Sequence, residues 1–171
     1  MIKLAKKLLF NIAKKQNVSL ESRRNTLAPG RSPKPKSIQP TLVGIHVRRG
    51  DKVDSEYILP GKDYFTRAMD HFKRKYKHTY FIVVSEDKKW GQKNVIGDDI
   101  LHSTSSSDLI ELTLLSLCDH TIMSVGTFGW WAAYLAGGDV VYYRNHVLKN
   151  SELSSFYNDS QYFLPNWKPM I

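Results

Sequence analysis

Two rhythms of apolar residues alternate along the chain after Pro40. Leu42-Val43-Gly44-Ile45-His46-Val47 is a nearly continuous apolar run, of the length and character of a strand buried on both faces. Residues 61–76 change to helical spacing, with Tyr64, Phe65, Ala68, Met69 and Phe72 on one side. Thr79-Tyr80-Phe81-Ile82-Val83-Val84 is a second strand-like run. Residues 108–118 predict a helix with Ser107 or Asp108 near its cap. His120-Thr121-Ile122-Met123-Ser124 predicts a strand, and Phe128 to Ala136 a short helix halted by Gly137-Gly138. Val140-Val141-Tyr142-Tyr143 predicts another strand. This alternation predicts an α/β fold, a Rossmann-like parallel sheet with flanking helices, over residues 41–171.

The first forty residues follow a different pattern. Residues 2–16 place Ile2, Ala5, Leu9, Ile12 and Ala13 at helical spacing between lysines. Such an amphipathic helix either lies on a membrane surface or packs on its own protein. Residues 17–40 carry Pro29, Gly30, Pro33, Pro35 and Pro40 and read as a linker. Residues 1–40 hold ten Lys or Arg against one acid, while residues 41–171 hold fifteen of each, so the whole net charge of +9 lies in the basic N-terminal segment. A nucleic-acid-binding domain would spread its cations over a folded face. The balanced charge of residues 41–171 therefore argues against a nucleic-acid partner. The apolar run Leu8-Leu9-Phe10 has Lys6, Lys7, Lys14 and Lys15 close by and falls far short of a membrane span, so no anchor and no signal peptide are expected. Cys118 is the lone cysteine, set in an apolar run, and reads as a buried, inert thiol.

In a parallel sheet, ligands bind beyond the carboxyl ends of the strands. After the first strand come Arg48-Arg49-Gly50-Asp51. Alternation sends the two arginines to opposite sides. One is suited to hold an anion by a bidentate guanidinium fork, the other to pair with an acid such as Asp51. A purely structural Arg–Asp pair is the competing reading. After the strand ending at Met123 come Ser124-Val125-Gly126-Thr127-Phe128, a tight turn into a helix start. Unpaired backbone N–H groups, the helix dipole, two hydroxyls and a glycine suit that turn to phosphate. An ordinary capped helix with Phe128, Trp130 and Trp131 in the core is the alternative there. Ser85-Glu86-Asp87 and Asp108 add strand-end acids. No His, Cys or Asp cluster has metal-ligand spacing.

Val43-Gly44-Ile45-His46-Val47-Arg48-Arg49-Gly50-Asp51 resembles the first motif of the galactoside α1,2-fucosyltransferases, glycosyltransferase family 11. The block from Cys118 through Thr127-Phe128-Gly129-Trp130-Trp131 to Gly138-Asp139 resembles their second motif, and Phe163-Leu164-Pro165-Asn166-Trp167 a segment near their end. The resemblance implies the C-terminal domain of a type B glycosyltransferase, which carries GDP-fucose. It implies inverting transfer of fucose to the 2-hydroxyl of a terminal galactose on a glycan acceptor, with no cofactor and no metal. Arg48 would bind the diphosphate and stabilise the leaving charge, with His46, Arg49 and Asp51 lining or bracing the site. Glu111 would contact the nucleoside, and Ser124, Gly126, Thr127 and Phe128 would lie beside the nucleotide. Glu56 matches the catalytic acid of α1,6-fucosyltransferases and is a candidate general base. A Golgi setting is implied, with membrane association only through a segment missing here.

The chain departs from the family in length, since members run to about twice this size, as two domains would. Asn166 stands where relatives often have an acid. A nucleotide-sugar-binding remnant without transfer activity is therefore the alternative function. A basic segment that recruits nucleic acid or anionic membrane rests on residues 1–40 alone.

Overall fold

The computed structural model describes residues 40–171; the expected helix over 2–16 and all but the end of the expected linker over 17–40 lie outside the described residues. Six strands, β1 (Thr41–Val47), β2 (Thr79–Ser85), β3 (Ile100–His102), β4 (His120–Met123), β5 (Val140–Tyr143) and β6 (Lys168–Met170), form one sheet in the order β3-β2-β1-β4-β5-β6. Every neighbouring pair is parallel. The helices between them are α1 (Lys62–Lys75), α2 (Lys88–Asn94), α3 (Asp108–Ser116), α4 (Thr127–Ala136), α5 (Glu152–Phe156) and α6 (Asp159–Tyr162). The chain winds outward from β1 to β3, returns to the centre at β4, and winds outward the other way. Right-handed crossovers then require helices on both faces.

On one face, α1 lays Tyr64, Phe65, Ala68, Met69 and Phe72 against Val43, Ile45 and Val47 of β1 and Ile122 of β4, all buried. Each fully buried ring there contributes about 1.5–3 kcal/mol by leaving water. The Tyr64 hydroxyl donates to the carbonyl of Met123 at 2.7 Å, so the one polar atom of that ring is satisfied. On the other face, Leu115 of α3 closes over Gly44, and Ala133 of α4 packs with Met123 and Val140. Phe163 and Trp167, singled out in the sequence as part of a motif, are core residues of this second face.

Within residues 40–171 the predicted strands and helices are all present, to within a few residues at each end. The elements absent from the prediction are α2, β3, β6 and the two short helices. Strand β3 has three half-buried residues, and β6 contains Pro169, which only an edge strand accommodates. Helix α2 buries only Gly91 and so has no apolar stripe to read. It starts because the Asp87 carboxylate accepts the Trp90 N–H at 2.9 Å.

Candidate functional site

The strand order reverses between β1 and β4, and in sheets of this kind a crevice forms at the carboxyl ends of the strands at such a reversal. Both turns singled out in the sequence lie there. They are joined directly: Ser124 donates its backbone N–H to the His46 carbonyl at 3.1 Å, and its hydroxyl oxygen accepts the Arg48 N–H at 2.7 Å. Ser124 is fully buried, so this hydroxyl ties the two strand ends together as well as facing the turn.

Arg48 and Arg49 take different partners. Arg49 goes to the α2 side, where its guanidinium lies 4.3 Å above the Trp90 ring and its Nε is 4.0 Å from Asp87. Arg48, about one-third exposed, pairs with Asp51 at 2.6 Å and reaches Glu86 at 3.7 Å. The acid that the sequence suggested for one arginine is therefore held by Arg48 itself. Glu86 also accepts the Arg49 N–H at 2.5 Å, which braces the turn from the end of β2. Some loss of water around the Asp51 carboxyl pushes it up, but the Arg48 and Lys52 cations outweigh this and hold the group below its ordinary range. The Arg48 guanidinium thus faces two acids, one of them in an exposed turn that an incoming dianion could displace.

Across the crevice, Gly126 precedes α4 with φ of +88° and ψ of 162°, a region closed to residues with a side chain. A Cβ there would meet nothing within 4 Å, so the space beside the helix start is open. No side chain caps α4, which leaves the first backbone N–H groups directed outward with the positive end of the dipole. His46 and Phe128 form the inner wall, with ring centroids 5.3 Å apart. His46 is buried and its Nδ1 has no hydrogen-bond partner. Burial and the Arg48 charge lower its pKa from 6.5 to about 3, so the imidazole is neutral. Helix α4 reaches the ring only because residue 129 is glycine: a Cβ would stand 2.4 Å from Nδ1.

His46, Arg48, Asp51, Ser124, Gly126, Thr127 and Phe128 therefore gather at one crevice, with Arg49 bracing it from the α2 side. Glu111 lies at the start of α3, buried, with the Lys88 ammonium on its carboxylate. Glu56 is held by backbone: its carboxylate accepts the N–H groups of Glu152 at 3.0 Å and Leu153 at 2.8 Å. The bracing roles of Glu86, Trp90 and Lys88 were not legible in the sequence, because each depends on where α2 lies. Among the described residues no group of three His, Cys, Asp or Glu side chains is placed to hold a metal, and no helix is long and apolar enough to cross a membrane.

Residues 34–170 match the family model described as "Glycosyl transferase family 11". Galactoside alpha-(1,2)-fucosyltransferase 1 of Mus musculus is 38% identical over 151 residues, covering 78% of this chain and 38% of the relative. Galactoside alpha-(1,2)-fucosyltransferase 2 of the same organism is 37% identical over 137 residues, covering 74% of this chain and 40% of the relative. The chain thus spans about two-fifths of the length of these curated relatives. A solved structure, fucosyltransferase NodZ from Bradyrhizobium, overlaps at a TM-score of 0.38 and 18% identity over 56% of this chain and 35% of that one.

Proposed function

The chain belongs to glycosyl transferase family 11, and on that footing we propose that residues 41–171 are the GDP-fucose-binding domain of a galactoside 2-α-L-fucosyltransferase. In this reading residues 1–40 are a separate basic segment, and the Golgi setting implied by the resemblance is part of the same proposal. The observation that carries it is the junction of the Arg48 turn with the open Gly126 turn at the sheet's reversal, linked through Ser124 at 2.7 Å.

The diphosphate of GDP would take the Arg48 guanidinium from Asp51 and lie against the first N–H groups of α4. When the bond from fucose C1 to the diphosphate oxygen breaks, its electron pair stays on that oxygen. Arg48 and the helix start oppose the growing charge, and such preorganised donors lower the barrier to departure. The galactose 2-hydroxyl oxygen bonds to C1 from the opposite side and its proton passes to a base. Neutral His46 and Phe128 wall the site on the side of the sheet, while Glu111 with Lys88 is assigned to the nucleoside end.

Calorimetric titration of GDP into the purified chain, beside Arg48→Ala, tests the donor site. Loss of one charge-assisted contact predicts affinity weakened at least about tenfold. A folded parent that takes up no GDP would defeat the reading. A parent that binds GDP but transfers no fucose to a galactoside would be the nucleotide-sugar-binding remnant instead.

A further inference from the structure

We infer that Glu56 is a positioning residue, which holds the Arg48–Asp51 turn in place by clamping the segment after β1 to the segment after β5. The inference rests on the donor-site reading above. Glu56 makes three hydrogen bonds to a stretch nearly a hundred residues away. Its carbonyl accepts the Leu148 N–H at 2.8 Å, and its two carboxylate oxygens accept the N–H groups of Glu152 and Leu153. Glu152 and Leu153 open α5, where the N–H groups have no helical partner and a negative charge is favoured.

The neighbours of Glu56 reinforce the same seam. Tyr57 forms an antiparallel bridge with Val147, and Ile58 donates its N–H to the His146 carbonyl at 2.9 Å. The Tyr57 ring stacks on the buried His146 ring, with centroids 6.2 Å apart. From this anchor the linkage runs back to the crevice. The Lys52 ammonium lies 4.7 Å above the Tyr57 ring and 3.4 Å from Asp51, and Asp51 holds Arg48 at 2.6 Å. Between Lys52 and Glu56 the chain turns through Asp54 at φ +58°. Fixing Glu56 therefore fixes the far end of a short, bent loop whose near end carries the guanidinium.

The test compares the parent with Glu56→Ala and Glu56→Gln. Hydrogen exchange is followed over residues 145–158 and 48–58, and GDP affinity by calorimetry. Glu56→Ala should speed exchange at 148–153 and weaken GDP about tenfold, within the range over which such coupled positions act. Glu56→Gln should fall between, because its amide oxygen still accepts one N–H. Should the alanine variant not fold, the ordering of glutamine against parent carries the test. A general base predicts a different pattern, in which both variants bind GDP as the parent does and lose only transfer. Faster exchange with unmoved GDP affinity would also overturn the inference, since the clamp would then be local. A folded parent that fails to bind GDP overturns the donor-site reading, and the inference with it.

Discussion

The two edges of the sheet are built from similar residues to opposite ends. At the amino edge, Asp139 receives the Tyr76 hydroxyl at 2.5 Å and the Lys75 ammonium, while its own N–H goes to His120 Nδ1 at 2.9 Å. Asp119 accepts the Leu42 N–H at 2.9 Å, and the His120 ring stacks on Tyr76 at 4.3 Å. Ions, rings and backbone there satisfy one another, with the buried Thr121 hydroxyl beside them left without a hydrogen-bond partner. At the carboxyl edge, His46 Nδ1 has no partner, α4 has no side-chain cap, and Arg48 is shared between two acids. The uncapped helix start and the shared guanidinium at one edge are the groups with capacity to spare, and the donor-site reading rests on them. The other edge holds the fold.

The sharpest way to break this contrast is Gly138→Ala. A Cβ at 138 would lie 1.8 Å from the Asp119 carbonyl oxygen and 2.6 Å from His120 Nδ1, against backbone that cannot yield without moving the turn. Overpacking of this kind costs about 3 kcal/mol, or roughly 6–12 °C of Tm at this chain length. Thermal denaturation measures it. A variant that melts with the parent would show the amino edge to be looser than its contacts imply. GDP affinity, measured below the transition, should be little changed.

Gly126→Ala inverts the logic. There is room for the methyl group, but φ of +88° with ψ of 162° excludes it. The strain is about 2 kcal/mol, and relieving it would swing the first N–H groups of α4. Stability should fall less than for Gly138→Ala while GDP affinity falls more. Equal losses of affinity in the two variants would erase the distinction between the edges.

Much of the fold is legible in the sequence. Apolar runs such as Leu42–Val47 and Thr79–Val84 are strands because both faces are buried, and burial is what periodicity reports. The residues after β1 and β4 could be singled out because a parallel sheet places its ligands at one edge, and the structure joins those two turns. Pairing was not legible. Asp51 went to Arg48, and Ser124, read as a hydroxyl for the ligand, is also a bolt between β1 and β4. Glu56 depends on α5, a five-residue helix with no buried residue, whose position no pattern announces. Local period encodes elements; partners distant in sequence are fixed only once the sheet order is known.

Acid titration discriminates two histidines. His120 is partly buried, which lowers its pKa, but Asp139 and Asp119 pull it back up. His46 is lowered to about 3 by burial, with the Arg48 charge adding to it, and no acid offsets them. The sign follows from proton uptake. Below 6.5 the unfolded chain protonates its histidine while the folded chain keeps His46 neutral. Stability is therefore whole above 6.5 and is lost as the pH falls toward 3, by at most about 1.4 kcal/mol per pH unit. Histidine ring resonances followed by NMR should show His120 titrating first and His46 still neutral at pH 4.5. In His46→Gln the acid slope of stability should flatten, which urea denaturation at several pH values measures. A His46 resonance that moves near 6.5 would mean that water or an anion reaches the ring, and the inner wall of the crevice would then be open rather than sealed by Phe128 and Gly129.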